Sequence, residues 1–148
     1  SMGRLIIVRL QTRIRVEPIK TERHLARLRA VAASYDFPLE EIEAIADIKR
    51  WCDERGVEED NFWRVGKCLR NRNTGQYRIL LAAEITPEMQ SSVLAAMEYR
   101  GFGNEVSLLS APEKFVEHLL LHEIAHAKNN NWDETECDSW AFEQLKAI

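Results

Sequence analysis

The 148-residue chain is 45% apolar and 30% charged, with a net charge of −4, proportions that suit one globular domain able to bury a core without disulfide staples. No run approaches the roughly 18 to 20 apolar residues needed to cross a bilayer, and Leu5–Val8 is too short for the core of a secretory signal, so the chain reads as soluble and cytoplasmic. Cys52, Cys68 and Cys137 are odd in number, widely spaced and without a C-x-x-C pair, as expected of reduced thiols packed as small apolar groups.

Ser1-Met2 reads as an expression remnant ahead of a natural start. Charge is segregated along the chain. Residues 1–29 hold eight Lys or Arg against Glu17 and Glu22, a net +6 that leaves −10 for the remainder. No aromatic side chain interleaves these basic residues, which disfavours a nucleic-acid surface and favours a solvated face set against the acidic remainder.

Three blocks are expected within one domain: a mainly helical part over 1–60, a hairpin, helix and edge strand over 61–109, and a helical hairpin over 110–148. Residues 4–16 alternate loosely between apolar and Arg or polar positions, predicting a strand, with a short helix as the alternative. Leu25, Leu28, Val31 and Ala32 predict a helix over Thr21–Tyr35. Ile42, Ile45, Ala46, Ile48 and Cys52 predict a second over Leu39–Arg55. Phe62–Leu69 and Gln76–Ala83 flank an Asn- and Gly-rich connection, the signature of a hairpin. Thr86-Pro87-Glu88 opens a helix that should run to Arg100, and Glu105–Leu109 predicts an edge strand.

Ser110-Ala111-Pro112-Glu113 has capping-box spacing, so a helix should start at Ala111 and end at Asn129-Asn130-Asn131. Its apolar positions, Phe115, Val116, Leu119, Leu120, Ile124 and Ala127, form a surface broad enough for a helix buried through the domain. Asp133 and Glu136 repeat the cap spacing ahead of a last amphipathic helix reaching Ile148. The expected fold class is α+β, a small antiparallel sheet packed on helices.

His122-Glu123-Ile124-Ala125-His126 is an H-E-x-x-H sequence whose i, i+4 spacing projects both imidazoles from one helix face toward a single point. That arrangement suits tetrahedral zinc, which in a catalytic site takes three protein ligands and leaves a fourth position for water. Glu134, at the start of the next helix, is the expected third ligand. Glu136 is the competitor, rotated about 200° from it. Asp138, one turn beyond Glu134, is placed to accept the Nδ1 proton of His122. Glu123 lies beside the ligands without being one, the position of a general base that takes a proton from water and delivers it to a leaving amine. His118 is either a structural histidine or an extra ligand or substrate contact. No Tyr or His follows His126, so a donor for the developing oxyanion must come from upstream, with Tyr99, Tyr77 and His118 as candidates.

Glu134-Thr135-Glu136-Cys137-Asp138-Ser139-Trp140-Ala141 after H-E-x-x-H resembles the E-x-x-x-D glutamate helix of the gluzincin metallopeptidases. The resemblance covers roughly residues 110–148, and the short gap is similar to that of the minigluzincins and the ImmA/IrrE-like peptidases. It implies a zincin-like active-site helix followed by a glutamate helix, a peptide or protein substrate, and an antiparallel edge strand lining the cleft, here Glu105–Leu109 or Gln76–Ala83. Two other classes stand beside this reading: a regulatory or partner-binding module with a structural or vestigial zinc, and a metal-free helical hairpin. A general base at Glu123 has no purpose in a purely structural site.

Overall fold

The broad apolar surface over residues 115–127 has the consequence its width implies: the helix that carries it runs through the middle of the molecule. In the computed structural model, which describes residues 17–148, this helix spans Pro112–Lys128. Phe115, Val116, Leu119, Leu120, Leu121, Ile124, Ala125 and Ala127 are buried, and so are the polar residues Glu117, His118 and Glu123. A helix covered on all sides must satisfy its buried polar groups internally, and those groups become the site described below.

In chain order the elements are β1 (Ile19–Lys20), a 3-10 turn (Thr21–His24), α1 (Leu25–Ala33), β2 (Leu39–Ile45), α2 (Ile48–Glu54), β3 (Gly66–Arg70), β4 (Tyr77–Ala82), β5 (Glu84–Ile85), α3 (Pro87–Tyr99), a second 3-10 turn (Val106–Leu109), α4 (Pro112–Lys128) and α5 (Glu134–Ala147). The class is α+β, as expected, but the main sheet is mixed. Its order is β2-β4-β3, with β2 parallel and β3 antiparallel to β4, while β1 and β5 pair antiparallel as a separate ribbon. Ile79, Leu80, Leu81 and Ala82 of the central strand are buried, the pattern of a strand covered on both faces. Helix α4 packs on β3 and β4, with α5 and α1 against its other sides. Strand β3 has no second strand partner among the described residues, so it is the open edge beside α4.

Several expectations need correction. The predicted strand at 4–16 lies outside the described residues. Residues 39–55 are a strand and a short helix rather than one helix, so the described part of the N-terminal block, residues 17–60, combines helix and strand. Pro38 disfavours helix for the residue before it, and its carbonyl accepts from the Tyr77 amide. Glu40 and Glu43 then reach Arg78 on β4 at 2.8 and 2.9 Å, and the Asp47 side chain caps α2 through the Arg50 amide. Cross-strand pairing thus overrides a helical apolar spacing. The expected edge strand Glu105–Leu109 is instead a 3-10 turn over Val106–Leu109, with Leu109 alone buried. Ser110 ends that turn, which leaves Ala111 at the N-cap of α4 with no side-chain bond, so the expected capping box does not form there.

The hairpin forms as expected. Asn71 Oδ1 accepts from the amides of Asn73 and Thr74, and Gly75 takes the positive φ of 73° that closes the turn. Within the basic N-terminal segment, Lys20, Arg27 and Arg29 pair with Glu84, Glu117 and Glu41, in keeping with a face set against acidic partners. Among the described residues no helix is long and apolar enough to cross a membrane.

The loop between α2 and β3 is tied down by one carboxylate. Glu59, with a side chain 1% exposed, accepts from Arg64 Nε and Nη2 at 3.1 and 3.0 Å, from Lys67 Nζ at 2.7 Å and from the Asn61 amide at 3.0 Å. Burial would raise its pKa, but these donors outweigh it and hold the carboxyl down at about 2. A carboxylate whose folded-state pKa is depressed adds stability above its unfolded value, and that contribution is lost as pH falls through the folded one. Urea unfolding at a series of pH values should therefore show wild type losing its advantage over Glu59→Gln between about pH 4.5 and about pH 2, by on the order of 3 kcal/mol.

Candidate metal centre

Three donors come together because two helices meet at a short polar turn. On α4, His122 and His126 are one turn apart, with Nε2 atoms 3.2 Å from one another. After Asn129–Trp132 the chain re-enters helix at α5, whose start is fixed by a complete capping box. Asp133 accepts from the Glu136 amide at 2.8 Å, and Glu136 accepts from the Asp133 amide at 3.2 Å. This cap puts Glu134 at the first helical position, with Oε2 2.7 Å from His122 Nε2 and Oε1 3.2 Å from His126 Nε2. Glu136 spends its side chain on the cap and is not the third member. The structure thus brings Glu134, and not Glu136, to the two histidines.

The donor set fits zinc. Ligands about 2.0 to 2.1 Å from a tetrahedral ion lie about 3.3 Å apart. The separations here, 2.7 to 3.2 Å, are those of three groups already gathered round one point. Two imidazole nitrogens and a carboxylate are also the donor types zinc accepts in sites that keep an open position.

Behind this trio lies a buried polar network centred on Asp138. Its Oδ1 accepts from His122 Nδ1 at 2.7 Å and from His118 Nε2 at 3.1 Å, and its Oδ2 accepts from Arg100 Nη1 at 2.7 Å. Burial pushes the Asp138 pKa up, yet the bonds from His118 and His122 win and hold the carboxyl well below the usual range. For His122, burial disfavours the cation, but Asp138, Glu134 and the nearby Glu123 outweigh it and set the pKa at about 10. Glu134 is held low by its hydrogen bonds to the two histidines.

His118 is fully buried, its ring centroid 4.3 Å from that of Phe142 and tilted 44° to it, and its pKa is lowered, chiefly by burial. It therefore donates through Nε2 as a neutral ring and leaves Nδ1 without a partner. His118, His122 and Asp138 could also be taken as a ligand trio. Arg100 already supplies the positive charge there, and the trio is enclosed, whereas the Glu134 side chain is 51% exposed. The open site is the outer one, and His118 has a structural place in the network.

Glu123 points to the other flank of the trio. It is 8% exposed, and burial raises its pKa against the opposing charges of His122 and His126. It lies against Gly66 of β3, where an added Cβ would come within 3.0 Å of Glu123 Oε2. Two cavities open onto this point. One, of about 180 Å³, is lined by apolar Met89, Val93, Met97 and Leu119 together with His122 and Glu123. The other, of about 370 Å³, is lined by Lys67, Cys68, Arg70 and Tyr77 together with Glu123, His126 and Glu134. Arg64 and Gly66 border both.

Of the upstream residues considered for oxyanion stabilisation, Tyr77 lines the larger cavity but lies across the ladder from Arg70, four residues along β3 from Gly66, and His118 lines the smaller one. Tyr99 is 93% exposed and lines neither cavity, and His118 is turned to Asp138. Sequence reasoning missed Gly66, Arg64, Arg100 and Cys137. Cys137 Sγ lies 3.5 Å from His126 Nδ1, the outer nitrogen of that ring. Cys137 could have been found from its place three residues after Glu134 on the same helical stripe. Arg100, ending α3, carries no local signal.

Gly66→Ala tests the packing around Glu123. The added methyl should force the carboxylate or β3 to shift and cost about 1 to 3 kcal/mol in urea unfolding. No model of a known protein family, no curated protein and no solved structure matches this chain.

Proposed function

We propose that the chain is a small zinc-dependent peptidase of the gluzincin type, with α4 as the active-site helix and α5 as the glutamate helix. The observation that supports this best is the gathering of His122, His126 and Glu134 within 2.7 to 3.2 Å of one another, beside a buried carboxylate that none of them uses. Zinc, when bound, polarises a carbonyl and lowers the pKa of a water toward about 7.

The rest of the chemistry belongs to the chain. His122 keeps its proton on Nδ1, donated to Asp138, which frees Nε2 as a lone-pair donor. Asp138 is itself fixed by Arg100 and His118, so the ring is held in one orientation. Glu123 accepts a proton from the attacking water on its carboxylate and passes it to the nitrogen of the departing amine as the amide C–N bond breaks. Burial against Gly66 raises its pKa, in opposition to the charges of the two histidines, which suits a group that must both take and return a proton. For the negative charge that develops on the carbonyl oxygen we assign Arg64, which borders both cavities and acts on Glu123 through its charge.

Elemental mass spectrometry of protein purified without added metal should find about one zinc per chain in wild type, Glu136→Ala and Glu123→Gln, and none in Glu134→Ala. Hydrolysis of a quenched fluorescent peptide library should be lost in Glu123→Gln; activity surviving that change would remove the mechanism. The raised His122 pKa adds a second test. His122 must give up a proton to bind metal, so zinc affinity should rise with pH toward about 10. Calorimetric titrations in buffers of different ionisation enthalpy at pH 7 should report about one proton released per zinc.

A further inference from the structure

Strand β3 lies along the larger cavity, and its side chains alternate between faces. The face of Gly66 looks onto Glu123, so Cys68 and Arg70, two and four residues on, share it. Directly across the ladder from Arg70 is Tyr77, which also lines that cavity. Of the three Lys or Arg side chains bordering the cavity, Arg64 and Lys67 are both held in ion pairs with Glu59. Arg70 has no ion pair among the described residues, and it also borders the adjoining groove formed with Asp36, Gly75, Lys128 and Asn129, where Asp36 is the one acidic residue. A guanidinium left unpaired beside a phenol, in a cavity that begins at the candidate metal centre, is a site for an anion.

We infer that Arg70, with Tyr77 beside it, binds a carboxylate of the substrate three to four residues from the bond that is cut. The spacing follows from reach. Gly66 and Arg70 are about 13 Å apart along an extended strand at about 3.3 Å per residue, and an extended peptide with Glu123 at its cleavage point advances at the same rise. The inference rests on the peptidase reading for the ligand being a peptide. The carboxylate is supplied either by an Asp or Glu side chain or by the free C-terminus of the peptide; the chemistry recognised is the same.

Binding rather than turnover tests it. The probes are fluorescein-labelled, alanine-rich decapeptides with a central Leu, carrying Glu, Gln or Lys three or four residues to either side, each with a free or an amidated C-terminus. Fluorescence anisotropy with zinc-loaded Glu123→Gln protein should show about tenfold tighter binding of a carboxylate-bearing peptide than of its uncharged counterpart. A Glu-over-Gln preference assigns the side chain, and loss on amidation assigns the C-terminus. Adding Arg70→Gln should erase the difference, and Arg70→Glu should turn it into a preference for Lys at the same position. Equal binding of charged and uncharged peptides, or a preference that survives Arg70→Gln, overturns the inference. The same peptides given to the wild type separate the two claims: selective binding with no cleavage sinks the peptidase reading alone, and cleavage with no carboxylate preference sinks this one alone.

Discussion

A negative charge inside the protein organises this molecule. Asp138 is 1% exposed, and three donors from two other helices converge on it: His118 and His122 from α4 and Arg100 from the end of α3. An unpaired carboxylate at that depth would cost several kcal/mol, so each donor is held in place by the penalty of its absence. The α3–α4–α5 arrangement is thereby locked through one side chain. The orientation of His122 is a by-product of that lock, and the outer cluster inherits its geometry from the inner one.

The same logic explains why the candidate site lies where it does. Helix α4 is buried on all sides, so its polar residues cannot be left to solvent and must be satisfied by neighbours. Glu117 meets Arg27 and Lys114, and His118 meets Asp138. Glu123 has no such partner and instead borders two cavities. A buried carboxylate with no ion pair or hydrogen bond among the described residues, beside a triad of metal-type donors, is a larger departure from that rule than the unpartnered Nδ1 of His118, and such departures are candidate functional positions.

Much of the site was legible because it is local in sequence. H-E-x-x-H, the Asp133–Glu136 cap and the one-turn step from Glu134 to Asp138 are all short-range relations, and periodicity alone brings their side chains to one side. The hairpin with its Asn71 and Gly75 turn was legible for the same reason. What failed was long-range. Ile42, Ile45 and Ile48 have helical spacing, and only the pairing of β2 with β4, with Glu40 and Glu43 reaching Arg78, reveals a strand. Edge-strand identity also depends on partners. Gln76–Ala83 reads as a good strand but is central, and Gly66–Arg70 has the open side. Gly66 and Arg100 have meaning only beside Glu123 and Asp138, which are far away in sequence.

The capping box at the start of α5 has a kinetic consequence. Two of the three gathered donors belong to a helix that cannot move without opening the core, whereas Glu134 is the first residue of its helix, with a half-exposed side chain. Helix ends fray at far lower free energy than buried segments open. Any ion held there would therefore come and go through fraying at Asp133–Glu136, and the lifetime of its occupancy would be set by the strength of a helix cap rather than by global unfolding.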